Sequence, residues 1–238
     1  MIIYLHGFAS SVHSSKATYL GERLRARGID VRVPDLNEPD FPTLTVTRML
    51  ARTRALMDEA PGGERPAPGP DHPTPGPDHP AAVTMFGSSL GGYVAVNAAA
   101  KWPDRIDRLV LLAPALDFSD QGLGAPNGAS LDEWKRDGRV MVFHFGYGRI
   151  MPINYSLYED ARRYDAIHAK VDMPILVFQG RRDAVVNPAI VERWAVGRPN
   201  VELHLLDDDH QLAASLPEIW AITSRFLDSP QQSAPARS

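Results

Sequence analysis

The stretch AAVTMFGSSLGGYVAVNAAAKW, residues 81–102, decides how this chain is read. Ala81 to Phe86 is a short apolar run stopped by glycine, as expected of a buried strand. Tyr93 to Trp102, ended by Pro103, has helical character, and Ala95, Ala98 and Ala99 give it a small face that can lie close against a sheet. Between them, Gly87-Ser88-Ser89-Leu90-Gly91 fills the pattern G-x-S-x-G. Ser88 cannot be its centre, because Phe86 stands two residues before it, so Ser89 is the candidate. Two readings compete. A glycine-rich turn could simply cap the next helix. Alternatively, the glycines could clear space for a sharp strand-to-helix corner that projects the Ser89 hydroxyl as a nucleophile.

The surrounding pattern supplies a scaffold for the second reading. Ile2 to Leu5 reads as a strand bounded by His6-Gly7, followed by a helix capped by Ser14 or Ser15 and ended by Gly28. Residues 29–36 alternate through Ile29, Val31 and Val33 as a second strand, and residues 45–60 are helical. Beyond the opening stretch, residues 106–116 and 173–180 read as strands. Residues 187–197 read as a helix with Asn187 as N-cap and Pro188 at its first position. Residues 200–210 form a strand running into acidic residues, and Ser215-Leu216-Pro217-Glu218 has the form of a capping box opening a last helix. Alternating strands and helices predict a mostly parallel sheet of about six strands with helices on both faces. Chemistry in such sheets gathers at the carboxyl ends of the strands.

Composition narrows the function. A formal net charge of −4 provides no basic footprint for nucleic acid. With no cysteine, thiolate metal sites and cysteine nucleophiles are excluded. The opening MIIYLHG lacks the basic n-region of a secretory signal, and no apolar stretch approaches the roughly 20 residues of a membrane span. A cytoplasmic protein without a membrane partner is expected. Residues 61–80 hold eight prolines and four glycines, with PGPDHP repeated at 68–73 and 75–80, and read as a solvated loop insertion rather than a metal site. Residues 1–228 are expected to form one domain and 229–238 a disordered tail.

A serine hydroxyl needs a base to take its proton, and the base needs a carboxylate to fix its tautomer. Asp183 in QGRRDAVV and His210 in LLDDDHQL each follow a predicted strand, in the order serine, acid, base. Asp117 is the rival acid, while Asp207, Asp208 and Asp209 read as a solvated turn. His13, His144, His168 and His204 are expected at the surface. Two backbone amides should receive the oxyanion: Leu90, directly after the nucleophile, and Phe8, in the loop after the first strand. His6 is expected to shape that loop by hydrogen bonding rather than act as a second base.

Taken together, YLHGF, GSSLGGY, GRRDAVV and DDDH make the chain resemble the α/β-hydrolase superfamily, and its opening 32-residue segment from Leu5 to Leu36 looks like a group of small bacterial serine esterases. The resemblance implies a nucleophile at Ser89, an acid at Asp183, a base at His210 and oxyanion donors at Phe8 and Leu90, with no cofactor or metal. It implies cleavage of short- to medium-chain acyl esters; a thioesterase, an acyl-peptidase or a cofactor-free perhydrolase would use the same groups, and a non-catalytic binding protein is the rival of another class. Residues 118–164, read as irregular, stand where hydrolases of this fold carry a lid. They hold eight aromatic residues, enough to predict an apolar acyl or aryl pocket, several of them simply packing the lid onto the core.

Overall fold

The computed structural model describes residues 1–60, 81–121 and 130–229; the Pro/Gly-rich insertion and, of the tail expected over 229–238, all but Ser229 lie outside them. In chain order the elements are β1 (Ile2–Leu5), α1 (Ser15–Ala26), β2 (Val31–Arg32), α2 (Val46–Asp58), β3 (Val83–Ser88), α3 (Leu90–Lys101), β4 (Ile106–Leu112), α4 (Phe118–Gln121), α5 (Leu131–Asp137), β5 (Arg139–His144), β6 (Arg149–Asn154), α6 (Ser156–Ala161), β7 (Ile175–Gly180), α7 (Pro188–Ala195), β8 (Val201–Leu206) and α8 (Leu216–Asp228). Six strands pair in the order β2-β1-β3-β4-β7-β8, every pair parallel. The expected six-stranded parallel sheet is present, with β2 shorter than its sequence pattern.

The period of two decides which helices cover which face. Ile3, Leu5, Val83, Met85, Leu109, Leu111, Ile175 and Val177 pack with buried residues of α2, α3 and α7. Their strand neighbours Ile2, Tyr4, Phe86, Val110, Leu112, Leu176 and Phe178 pack with those of α1 and α8. Both faces are therefore dry, as a parallel sheet requires.

Local signals set most helix starts. Ser14 caps α1 by accepting the Ala17 N–H, and Asn187 caps α7 by accepting that of Ala189. At α8 the expected capping box is not formed: the Ser215 hydroxyl makes no cap bond, and its N–H is taken by Asp208 Oδ2 at 2.9 Å. A complete box occurs instead at α5, where Ser130 and Glu133 cap each other's backbone.

Residues 118–164 are not irregular. Their described part contains α4, α5, α6 and an antiparallel hairpin of β5 and β6. This unit rests on the α3 side of the sheet. Trp134 is fully buried and its Nε1 donates to Ile153 O at 3.0 Å, while the Tyr93 hydroxyl lies 2.9 Å from Ala161 O and 2.8 Å from Tyr164 O. Phe118, Trp134, Tyr155, Tyr158 and Tyr164 pack on the core. Phe143, Phe145 and Tyr147 instead project outward, so they do not line an internal pocket.

Candidate active site

The corner after β3 is built by exclusion of side chains. A Cβ on Gly91 would lie 2.1 Å from the Leu5 carbonyl oxygen, and one on Gly87 would lie 2.5 Å from Gly91 O. The turn can therefore press against β1 only with glycine at both positions. Ser89 takes the strain: its φ of 52° and ψ of −119° lie where residues with a Cβ rarely sit. Although Ser89 occupies the N-cap position of α3, its hydroxyl makes no cap bond. This distinguishes the two readings of the opening stretch. A capping serine would spend its oxygen on the helix, and the Ser89 hydroxyl does not. Ser88, by contrast, ends β3 and is buried.

The other non-glycine residues with positive φ are Ala9 after β1, Ala113 after β4 and Leu212 after β8. All four lie in loops at the carboxyl edge of the sheet. Leu90 is the first residue of α3, so its N–H has no intrahelical acceptor. The loop carrying Phe8 passes beside Ser89, since a Cβ on Gly7 would lie 3.2 Å from Ser89 Cβ. His6 is buried beneath that loop, with Nδ1 2.9 Å from Gly7 O and Nε2 3.0 Å from the Leu36 N–H. Nε2 also lies 3.5 Å from Asp35 Oδ1, but it cannot accept from Leu36 and donate to Asp35 at once. The shorter contact decides, giving the tautomer protonated on Nδ1. His6 thus shapes the loop, as expected.

Asp183 and His210 meet. Asp183 Oδ2 lies 2.8 Å from His210 Nδ1 and 2.9 Å from Gln179 Nε2, while Oδ1 accepts the N–H groups of Val185 and Val186, both at 2.8 Å. Its side chain is completely buried. Burial pulls the Asp183 carboxyl upward, but hydrogen bonds from His210, Val186 and Val185 outweigh it and hold the pKa below the ordinary carboxylate value. Asp117 is not joined to His210. It is half-buried, and burial raises its pKa. Ser89 and His210 share no hydrogen bond among the described residues.

The loop bearing His210 is gripped from both sides. The Arg182 N–H donates to Asp208 O at 3.0 Å, and Asp208, expected as part of a solvated turn, is buried and staples the loop through Asp209 N and Ser215 N. From α1, the buried ammonium of Lys16 donates to the carbonyls of His210 at 3.1 Å and Gln211 at 3.2 Å. Burial lowers the Lys16 pKa to about 8, against the opposing pull of Asp183, Asp209 and Asp208. Lys16 escaped the sequence reading, although a signal existed: it continues the Leu20 and Leu24 stripe at four-residue spacing, where a lysine is out of place. His144 also departs from expectation. It is fully buried in the hairpin, accepting the Tyr147 N–H at Nδ1, and burial lowers its pKa.

The comparisons with known proteins agree on architecture. Residues 1–62 match the model of an uncharacterised protein family (UPF0227), and residues 73–137 match that described as serine aminopeptidase, S33. No curated protein matches. Among solved structures, Est1E from Butyrivibrio proteoclasticus superposes with a TM-score of 0.72 at 20% identity, covering 95% of this chain and 86% of that one. The chain has the α/β-hydrolase fold. Alpha/beta hydrolase domain-containing protein 10 from mouse has a TM-score of 0.70 at 20% identity, with 95% and 89% of the two chains covered. A monoacylglycerol lipase from Paleococcus ferrophilus gives 0.64 at 15% identity, with 95% and 93% covered. Within the α/β-hydrolase fold, Ser89, Asp183 and His210 follow β3, β7 and β8 at one edge of the sheet. Among the described residues there is no metal-binding cluster, and no helix is long and apolar enough to cross a membrane.

Proposed function

We propose that the protein is a serine hydrolase of carboxylic esters with short- to medium-length acyl groups. The observation that carries this reading is the buried Asp183–His210 pair on the sheet edge that also presents the strained Ser89 corner. With Nδ1–H directed at Asp183, the imidazole keeps Nε2 free to act as a base. In the proposed reaction Ser89 Oγ attacks the ester carbonyl carbon and its proton passes to Nε2. The Phe8 and Leu90 amides receive the oxyanion, and His210 protonates the departing alcohol. A water deprotonated by His210 then attacks the acyl-enzyme and releases the acid. The Ser89–His210 hydrogen bond belongs to the substrate complex, where such contacts tighten. The small lid supports a modest acyl group, and among proteins of similar fold Est1E is known with ferulic acid bound.

The test combines covalent labelling with a substrate panel. A fluorophosphonate should modify Ser89, located by mass spectrometry of the peptide. Hydrolysis of p-nitrophenyl esters should peak at short or medium chain length and exceed that of matched thioesters and acyl-peptides. Failure to label would overturn the serine mechanism, and a thioester preference would change the substrate class.

Lys16 provides a further expectation. In Lys16→Met the buried charge disappears while two carbonyls lose a donor, effects that oppose one another, so thermal stability should change little. Because those carbonyls belong to the loop holding His210, kcat should fall by about 10²-fold with KM nearly unchanged. Steady-state kinetics beside a thermal melt checks this, and an unchanged kcat would remove Lys16 from a positioning role.

A further inference from the structure

The β5–β6 hairpin exposes a cluster of large apolar side chains on one side. Alternation in β5 buries Val140, Val142 and His144 and exposes Arg139, Met141 and Phe143. Register places Met141 opposite Pro152 and Phe143 opposite Ile150 on that outer side. Phe145 and Ile150 are 76% and 64% exposed, and the Phe145 ring lies 5.1 Å from that of Phe143. Isolated exposed apolar residues are ordinary, but a contiguous cluster on one face marks an interaction site.

Charge indicates what it meets. Residues 138–158 contain two arginines and no Asp or Glu, in a chain whose net charge is −4. Arg139 stands at the base of the apolar face and Arg149 beside the turn. Both are exposed, and neither forms an ion pair among the described residues. A second copy meeting this face symmetrically would set like charges together with no acid on the hairpin to pair them. We propose that this hairpin docks on an anionic lipid surface, with Phe145 and Ile150 entering the headgroup boundary and Arg139 and Arg149 held by lipid phosphates. The proposal departs from the expectation of no membrane partner, which rested on the lack of a signal-like n-region and of a spanning segment.

The position of the turn gives such docking a consequence. The Gly146 N–H donates to Ala9 O at 3.4 Å, and a Cβ on Gly146 would lie 2.6 Å from Ser11 Cβ, so the hairpin tip sits directly on the loop that follows Phe8. A docked hairpin holds the edge bearing Ser89 close to the lipid.

Flotation of the whole protein with vesicles tests this. At low salt the protein should float with phosphatidylcholine vesicles containing phosphatidylglycerol, and much less with phosphatidylcholine alone. Arg139→Gln/Arg149→Gln should lower partitioning by about thirtyfold, as expected for two basic side chains at an anionic surface. Phe145→Ser/Ile150→Ser changes only exposed positions, so it should fold normally and also release the protein. Ser89→Ala should float like the wild type, which separates docking from catalysis. Flotation that is absent, or indifferent to both double variants, would overturn the proposal. So would a concentration-dependent dimer by light scattering that the Phe145/Ile150 variant abolishes, since a second copy would then cover the face.

Discussion

Replacing Ser89 with alanine should lower kcat for a p-nitrophenyl butyrate substrate by about 10⁶-fold, the size of loss seen when a triad nucleophile is removed. In the proposed mechanism this hydroxyl forms the acyl-enzyme, and neighbouring Ser88, buried at the strand end, is not placed to replace it. Some turnover above the uncatalysed rate should survive, because the Phe8 and Leu90 amides would still polarise the carbonyl of a bound ester. The substitution keeps the Cβ, so the left-handed backbone and its strain remain and the melting temperature should barely move. Ser89→Gly makes a useful companion. It should be equally inactive yet at least as stable, because glycine relieves a strain of about 1–3 kcal/mol at a φ of 52°. Kinetics and thermal melts on the three proteins check both statements. Ser89→Ala turnover within tenfold of the wild type would remove Ser89 as the nucleophile and with it the mechanism.

Local signals carried most of the fold. Short apolar runs separated by amphipathic helices sufficed for a six-stranded parallel sheet, because strands buried on both faces read as continuous apolar segments. The corner at Ser89 was legible for a related reason: Gly87 and Gly91 are required by backbone oxygens 2.5 Å and 2.1 Å from where a side chain would begin. What the sequence hid depended on long-range contacts. In the hairpin over 139–154, β5 buries Val140, Val142 and His144 but exposes Met141 and Phe143, so the strand is apolar on both sides and no alternation marks the outward face. Reading its aromatics as pocket lining followed from assuming that apolar side chains turn inward. Lys16 and Asp208 were missed because their partners lie 194 and seven residues away, and no local pattern announces a loop held through its carbonyls and amides. The failed cap at Ser215 has the same origin: Asp208 takes the N–H that the box would have used.

The identity of the acid turns on the geometry around position 183. Asp183→Asn should lower kcat by about 10⁴-fold near neutral pH, whereas Asp117→Asn should change it by less than about threefold. The asymmetry follows from which atoms the amide must present. The N–H groups of Val185 and Val186 both point at Oδ1, so the asparagine oxygen is fixed there and its NH₂ takes the place of Oδ2. That NH₂ can be satisfied on one side, because Gln179 Oε1 is buried without a partner and rotation of the Gln179 amide would turn this acceptor toward it. On the other side it meets His210 Nδ1, which must then accept rather than donate. The imidazole is driven into the tautomer protonated on Nε2, where a hydrogen stands in place of the lone pair that should receive the Ser89 proton. Folding should survive, since the substitution keeps the side-chain shape and leaves an oxygen to accept both backbone N–H groups, so the loss should appear in kcat and not in the melt. The variant should also shed less stability on acidification. The depressed Asp183 pKa stabilises the fold above the ordinary carboxylate value, and that contribution fades as pH falls through the folded value. Measurement of kcat for both variants from pH 6 to 9 decides the matter. If Asp117→Asn were the variant that collapsed, the carboxylate would move to position 117 and the 2.8 Å contact at 183 would be structural only.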